Sequence, residues 1–376
     1  MKRATLLFAV LILVFFLTSC KKSSTASNAD NKHYVAVFYF ANYGSSQYAQ
    51  GALAPTGDAW IVNGQTPAFS PYGLPNFWGK PLFAATHGDG TIKNNYRFYF
   101  NDDPAQTNDS LLDWHARLLS DADVDLIVLD FTNGAGDFPN GPSYLSATTA
   151  LCNRWQALRR KGVKTPQIAF FVRNATALSI VEDRYFNQYD ASLFFHYLGK
   201  KLVLVARPND NLENYDPAQP AVPTAGIFAN YTARHCWGNM TSGTCWQFKV
   251  NSNPPPSPFM YNGQPEQLCA PVADQLSYMT TDGINVTQGA QGRQNGDYFS
   301  MYMNAAATNK VKFVFIHSWN EWNAGNWGTQ DKPYFVDLWN QEYSADIEPM
   351  YGGHGDQYYQ LMKSEIAKFR QAVNGQ

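Results

Sequence analysis

Five short runs of this chain are apolar almost without interruption: Tyr34 to Ala41 (YVAVFYFA), Asp125 to Phe131 (DLIVLDF), Gln167 to Val172 (QIAFFV), Lys201 to Ala206 (KLVLVA) and Val311 to Ile316 (VKFVFI). Each is too short for a buried helix and rich in β-branched and aromatic residues, which suits strands. A strand with one wet face alternates apolar and polar side chains. These runs do not alternate, so both of their faces must be covered. That requirement excludes an open antiparallel meander and leaves a parallel sheet with crossover helices.

The segments between the runs supply such helices. Thr107 can cap one that runs to about Ser120, with Leu111, Leu112, Ala116, Leu118 and Leu119 on its apolar face. Others are expected from about Ser143 to Lys161, over most of Thr176 to Tyr197, from Gly292 to Ala307 and from Tyr358 to Ala372. Weaker strand candidates are Leu82 to Thr86, Asn95 to Phe100, Gly226 to Asn230 and Ala270 to Ser277. Residues 44–92 and 238–265 read as long loops rich in Gly, Pro and Asn. The expected fold class is α/β, a closed (β/α)8 TIM barrel with long decorated βα loops over residues 33–376. An open doubly wound sheet is the alternative, but no Gly-rich nucleotide fingerprint follows the first strand.

All strands of a parallel barrel open their C-terminal ends on one face. The residues that end the runs therefore form one candidate set: Tyr39, Asn42, Asp102, Asp130, Asn133, Arg173, Asn174, Arg207, Tyr231, His317, Trp319 and Glu321. The last run stops on His317, Trp319, Asn320, Glu321 and Trp322 with almost no spacer. Indoles stack on pyranose faces, and a carboxyl between them suits proton or nucleophile work at an anomeric carbon. Glycoside hydrolysis takes two carboxyls, and Asp130 is the expected partner of Glu321. Asp102, Asp103 and Asp109 cluster without the spacing of a calcium loop and read as helix-capping or sugar-binding groups. No metal and no cofactor is expected.

Aromatic and charged residues each make up 15% of the chain, and the formal net charge is −2. Many aromatic and neutral hydrogen-bonding side chains suit a polyhydroxylated partner, a poly- or oligosaccharide. The near-neutral balance gives nucleic acid no basic patch. Residues 1–20 have a basic start and an apolar run from Leu6 to Leu17, then Thr18, Ser19 and Cys20, which reads as an export signal with a lipobox. Cys20 is then the expected lipidation site, residues 21–32 a flexible tether, and the cell envelope of a bacterium the expected location of a lipid-anchored monomer. Cys236 and Cys245 are the best candidate disulfide pair, with Cys269 a competing partner and Cys152 a buried thiol on a helix.

Ser318-Trp319-Asn320-Glu321-Trp322, followed by Ile347-Glu348-Pro349, resembles the NEW…IEP signature of glycoside hydrolase family 99-like barrels. That group includes endo-α-mannosidases, with the family 71 α-1,3-glucanases and WbsX-like proteins as neighbours. The resemblance covers residues 311–366; elsewhere it is one of topology, with LDFTNG at 129–134 fitting a barrel strand end. It implies a TIM barrel and a glycosidase. The family motif carries two catalytic glutamates three residues apart. Glu321 matches the first, and Ala324 stands at the second. The family's acid is therefore not carried over, and Asp130, Glu348, Glu342 and Asp346 are the candidates to replace it.

Two readings follow. One is an exported glycoside hydrolase with Glu321 as nucleophile or base, Asp130 as acid, Glu348 as a further candidate, and Trp319, Trp322 and Trp327 as sugar platforms. The set of ligand-binding residues then also takes in Asn320, His317, Tyr39, Asn174, Arg173, Arg207, Tyr231 and Asp102. The other is a glycan-binding lipoprotein that uses the same rings without cleavage, which Ala324 favours. A polysaccharide-processing transferase is disfavoured by the export signal, because nucleotide sugars are made in the cytoplasm.

Overall fold

The apolar runs do become neighbouring strands. The computed structural model describes residues 32–41, 80–81, 109–132, 134–136, 144–206, 220–238, 244–274, 289–321, 342–351 and 354–375. Cys20, Asn42, Asp102, Asn133, Arg207, Trp322, Ala324 and Trp327 lie outside the described residues. His33–Gln376 form one compact unit.

The strands are β1 (Tyr34–Tyr39), β2 (Lys80–Pro81), β3 (Leu126–Phe131), β4 (Gln167–Val172), β5 (His196–Tyr197), β6 (Lys200–Val205), β7 (Thr232–Gly238), β8 (Trp246–Lys249), β9 (Phe259–Tyr261), β10 (Gln264–Pro271), β11 (Phe313–His317) and β12 (Met350–Tyr351). Their hydrogen-bonded order is β8-β7-β6-β4-β3-β1-β11-β10-β9. Every step from β8 to β10 is parallel, and only β9 runs against its neighbour on this path. The helices are α1 (Asp109–Asp121), α2 (Tyr144–Arg160), α3 (Ala175–Val181), α4 (Asp297–Thr308) and α5 (Gln357–Asn374). This is an α/β barrel, nearly closed.

The inside is aromatic. Near the N-terminal ends, Phe313 stacks on Tyr34 at 5.0 Å and meets Tyr197 at 4.8 Å and Trp246 at 4.9 Å. One layer up, Phe38, Phe171 and His317 gather around Phe248. Truncating one such ring to alanine costs about 3–5 kcal/mol. The buried Arg234 forms a two-pronged pair with Glu266, whose carboxylate also accepts from Trp246 Nε1 at 2.8 Å. On the outer side of the wall, Trp155 of α2 donates to Leu112 O of α1, and Arg154 pairs with Asp113, so the two helices are tied to one another.

No ladder joins β8 to β10, and two side chains fill the gap. Gln267 accepts from Gln247 N and donates to Gln247 O, both at 2.8 Å. Gln247 accepts in turn from Cys269 N and donates to Ser257 O. A primary amide holds its N–H donors and its carbonyl acceptor in one plane, so it can pair with a backbone residue as a second strand would.

Several expectations need correction. Gly226–Asn230 is a tight helical turn, and the strand follows it at Thr232. Residues 238–265 are not one loop, because they contain β8 and β9. The segment expected to be helical over most of Thr176 to Tyr197 is so in pieces, α-helix to Val181, a π-helical turn over Glu182–Phe186 and a 3-10 turn over Ala191–Leu193, after which Phe195 N donates to Ile168 O. The Cys236–Cys245 disulfide is absent, and all four cysteines of the described residues are buried thiols. Cys236 lies opposite Trp246 in the β7–β8 ladder, Cys245 Sγ donates to Trp246 O at 3.2 Å, and Cys269 Sγ donates to Phe248 O at 3.1 Å.

Gln267→Leu leaves the Gln247 backbone N–H and C=O buried without their partners. It should lower unfolding free energy by roughly 2–4 kcal/mol in urea titration, and a loss below about 0.5 kcal/mol would refute the seam's role. Alkylation in denaturant without reductant should modify Cys152, Cys236, Cys245 and Cys269 alike, and protection of any two would restore a bridge.

Candidate active site

The described part of the site is built where β11 ends. Because β1 and β11 pair in register with Val37 opposite Ile316, His317 lies level with Phe38. The imidazole points into the barrel, stacked on Phe38 at 5.2 Å and edge-on to Phe248 at 4.6 Å. Beyond it the chain keeps hold of β1. Trp319 N donates to Phe38 O, while the Asn320 amide accepts from Phe40 N and donates to Phe40 O. This second amide-on-backbone pair extends the ladder past the strand end and fixes the residue that follows, Glu321.

Glu321 is only 5% exposed. Its Oε2 lies 3.2 Å from His317 Nε2, close contact without hydrogen-bond alignment. Burial raises the Glu321 pKa to about 7, and the charge of Lys249 pulls the other way. Lys249 is a buried ammonium at the C-terminal end of β8. A carboxyl with a pKa near neutrality, beside an imidazole and a cation, can hold or release a proton at working pH.

Asp130 ends β3 on the same side of the wall. The registers place Phe38 level with Val128, and Asp130 level with the inward-facing Phe171. The carboxyl is buried, and its Oδ1 accepts from Thr132 N at 2.8 Å and Thr132 Oγ1 at 2.7 Å, which fixes its orientation. At the same end of β4, Arg173 is half-buried and Asn174 caps α3 by accepting from Ala177 N.

Other residues expected at the mouth are elsewhere. Tyr39 follows Phe38 by one residue and so faces out of the barrel, onto His115 of α1 and Trp155 of α2. Its hydroxyl meets His115 Nδ1 at 2.7 Å, and His115 Nε2 meets Glu348 Oε1 at 2.7 Å. Glu348 is thus sealed between wall and helices, not beside Glu321. Burial lifts the Glu348 pKa well above the usual range and lowers that of His115 to about 3, so it pushes both groups towards their neutral forms. Burial, and then the proximity of the Glu348 carboxyl, raise that of Tyr39. Trp319 is 0% exposed and packs edge-on against His115 and Tyr359, so it is a core residue and not a platform. Tyr231 precedes β7, at the opposite end of the barrel, where its hydroxyl donates to Glu182. Asp346 is buried, and Glu342 is exposed and accepts from Gln294 N.

Sequence reading missed Lys249 and His115. Lys249 sits in WQFKV, a short alternating run inside a supposed loop. His115 lies on the face of α1 that the Leu111–Leu119 pattern marks as buried.

No protein-family profile and no curated protein matches the chain. Similar solved structures include a GH99 endo-α-mannosidase from Bacteroides thetaiotaomicron, with a TM-score of 0.50 at 12% identity over 90% of this chain and 98% of that one. A second structure of that enzyme, in complex with bis-tris propane, has a TM-score of 0.50 at 13% identity over 91% and 98%. The likeness is one of fold.

A carboxyl whose folded-state pKa is raised favours folding while protonated and loses that contribution as pH rises. For Glu321 the window runs from 4.5 to about 7. At about 1.4 kcal/mol per pH unit this is a loss of roughly 3 kcal/mol. Urea titrations across that window should show wild type falling relative to Glu321→Gln by this amount; parallel curves would contradict the buried placement of Glu321.

Proposed function

We propose that this protein is a glycoside hydrolase acting on a poly- or oligosaccharide at the C-terminal mouth of the barrel. One observation carries the reading: a buried carboxyl with a pKa of about 7 stands beside an imidazole at the end of the last parallel strand. A general acid needs a proton near neutral pH and a place to receive it back. Glu321 therefore takes the acid role, reversing the assignment expected from sequence. It protonates the leaving glycosidic oxygen. Asp130 serves as nucleophile, or as the base that takes a proton from water. Carboxyls about 5–5.5 Å apart would give retention, and about 6.5–9.5 Å inversion.

The fold likeness supports the reading without naming a substrate. The similar structures are of an endo-α-mannosidase, so an α-mannan heads the panel to be screened. In this proposal Cys20 carries lipid and holds the barrel at the cell envelope, so Cys20→Ala should release the protein from the membrane fraction. Ala324 and the sealed position of Glu348 favour a second reading, a barrel that binds glycan without cutting it.

A hydrolysis screen with wild type and Glu321→Gln separates the two. On a cleaved glycan, Glu321→Gln should lower kcat by about 10²–10⁴-fold while affinity stays within a few-fold. Wild-type kcat/KM should fall as pH rises through about 7, where Glu321 gives up its proton. Binding without turnover in both proteins would select the second reading, and undiminished turnover in the variant would remove Glu321 from the chemistry.

A further inference from the structure

Glu348 carries a chemistry-bearing side chain that the proposed mechanism leaves unused, and the backbone around it reaches the site. Ser318 N donates to Ala345 O at 3.1 Å. Ile347 N and Glu348 N both donate to Trp319 O, at 3.1 and 2.9 Å. Residues 345–348 thus form a strip bonded along 318–319, the two residues between His317 and the Asn320–Glu321 pair. Arg293 Nη2 donates to Asp346 O of the strip at 2.8 Å, and on the helix side Glu348 is bonded to His115 of α1, which in turn meets Tyr39 of β1. Glu348, His115 and Tyr39 are fully buried, so none of their bonds competes with water.

We propose that Glu348 is a positioning residue: its hydrogen bond to His115 anchors the 345–348 strip, and the strip holds Glu321 in its buried slot beside His317. This rests on the reading of Glu321 as the acid. Glu348 does not touch substrate. In this proposal the protonated Glu348 carboxyl donates to His115 Nε2, and Nδ1–H donates to the Tyr39 oxygen. Glu348 meets His115 from α1 and, beyond it, Tyr39 from β1; near Glu321 are His317 at the end of β11 and Lys249 from β8. Loosening the strip lets water reach Glu321, and its ionisation moves back towards that of an exposed carboxyl.

The test uses the full chain with Glu348→Ala, Glu348→Gln and the apolar double variant His115→Phe/Glu348→Leu. The first readout needs no substrate. Ionisation of Glu321 is taken from the pH dependence of unfolding free energy of each protein minus that of its Glu321→Gln counterpart. In the Ala and double variants the midpoint should move down from about 7 towards 4.5. In the Gln variant, whose amide still donates to His115 Nε2, it should stay near about 7. On any cleaved glycan, Glu348→Ala should lower kcat about 10–100-fold with KM within about threefold, and the alkaline limb should move with the midpoint.

A folded Ala variant that titrates like wild type would overturn the proposal. If the Ala variant does not fold, the double variant decides by the same criterion. A Gln variant displaced as far as Ala would overturn the hydrogen-bond account. A midpoint that moves while no glycan is cleaved leaves the positioning role standing and removes the hydrolase reading.

Discussion

A strand covered on both faces has nowhere to leave an unpaired backbone group, and the barrel is organised around that constraint. Where neighbouring strands run in register, the ladder meets it. Where the ladder stops, side-chain amides take over: Gln267 on Gln247 at the β8–β10 gap, and Asn320 on Phe40 past the end of β11. The second of these also aims the candidate acid, because Glu321 is the next residue. The device that completes the wall and the device that places the candidate acid are the same.

The second theme is how this interior treats ionisable groups. Glu321, Glu348 and His115 are each pushed by burial towards their neutral forms. The outcomes differ with the neighbours. Glu348 and His115 satisfy one another inside the wall and behave as a polar tie. Glu321 has an imbalanced setting, an imidazole out of hydrogen-bond alignment and a cation that opposes neutralisation, and this leaves its pKa near 7. Glu321 and Glu348 thus have opposite situations, one poised and one locked.

The strand frame was legible because continuous apolarity has few structural explanations. The run at Gln167–Val172 matches its strand residue for residue, and β1, β3, β6 and β11 differ from their runs only at the ends. β8 was not legible: four residues among Pro, Asn and Gly carry too little pattern, and Lys249 went unseen with it. The candidate site was read from strand ends without regard to facing. Tyr39 and Phe38 are adjacent, yet one looks at helices and the other into the barrel. That difference follows only from the pairing of β1 with β11, which sequence does not specify. Trp319 failed as a platform for the same reason. The disulfide expectation failed because proximity along the chain says nothing about ladder partners, and Cys236 is opposite Trp246.

Because β8 is laddered to β7 alone and stapled to β10 by two amides, the wall does not resist deformation evenly around its circumference. Its compliance is concentrated along one line, like the slit in a spring pin. A load on the wall would open it along that line first, and the strand displaced would be the one that carries Lys249.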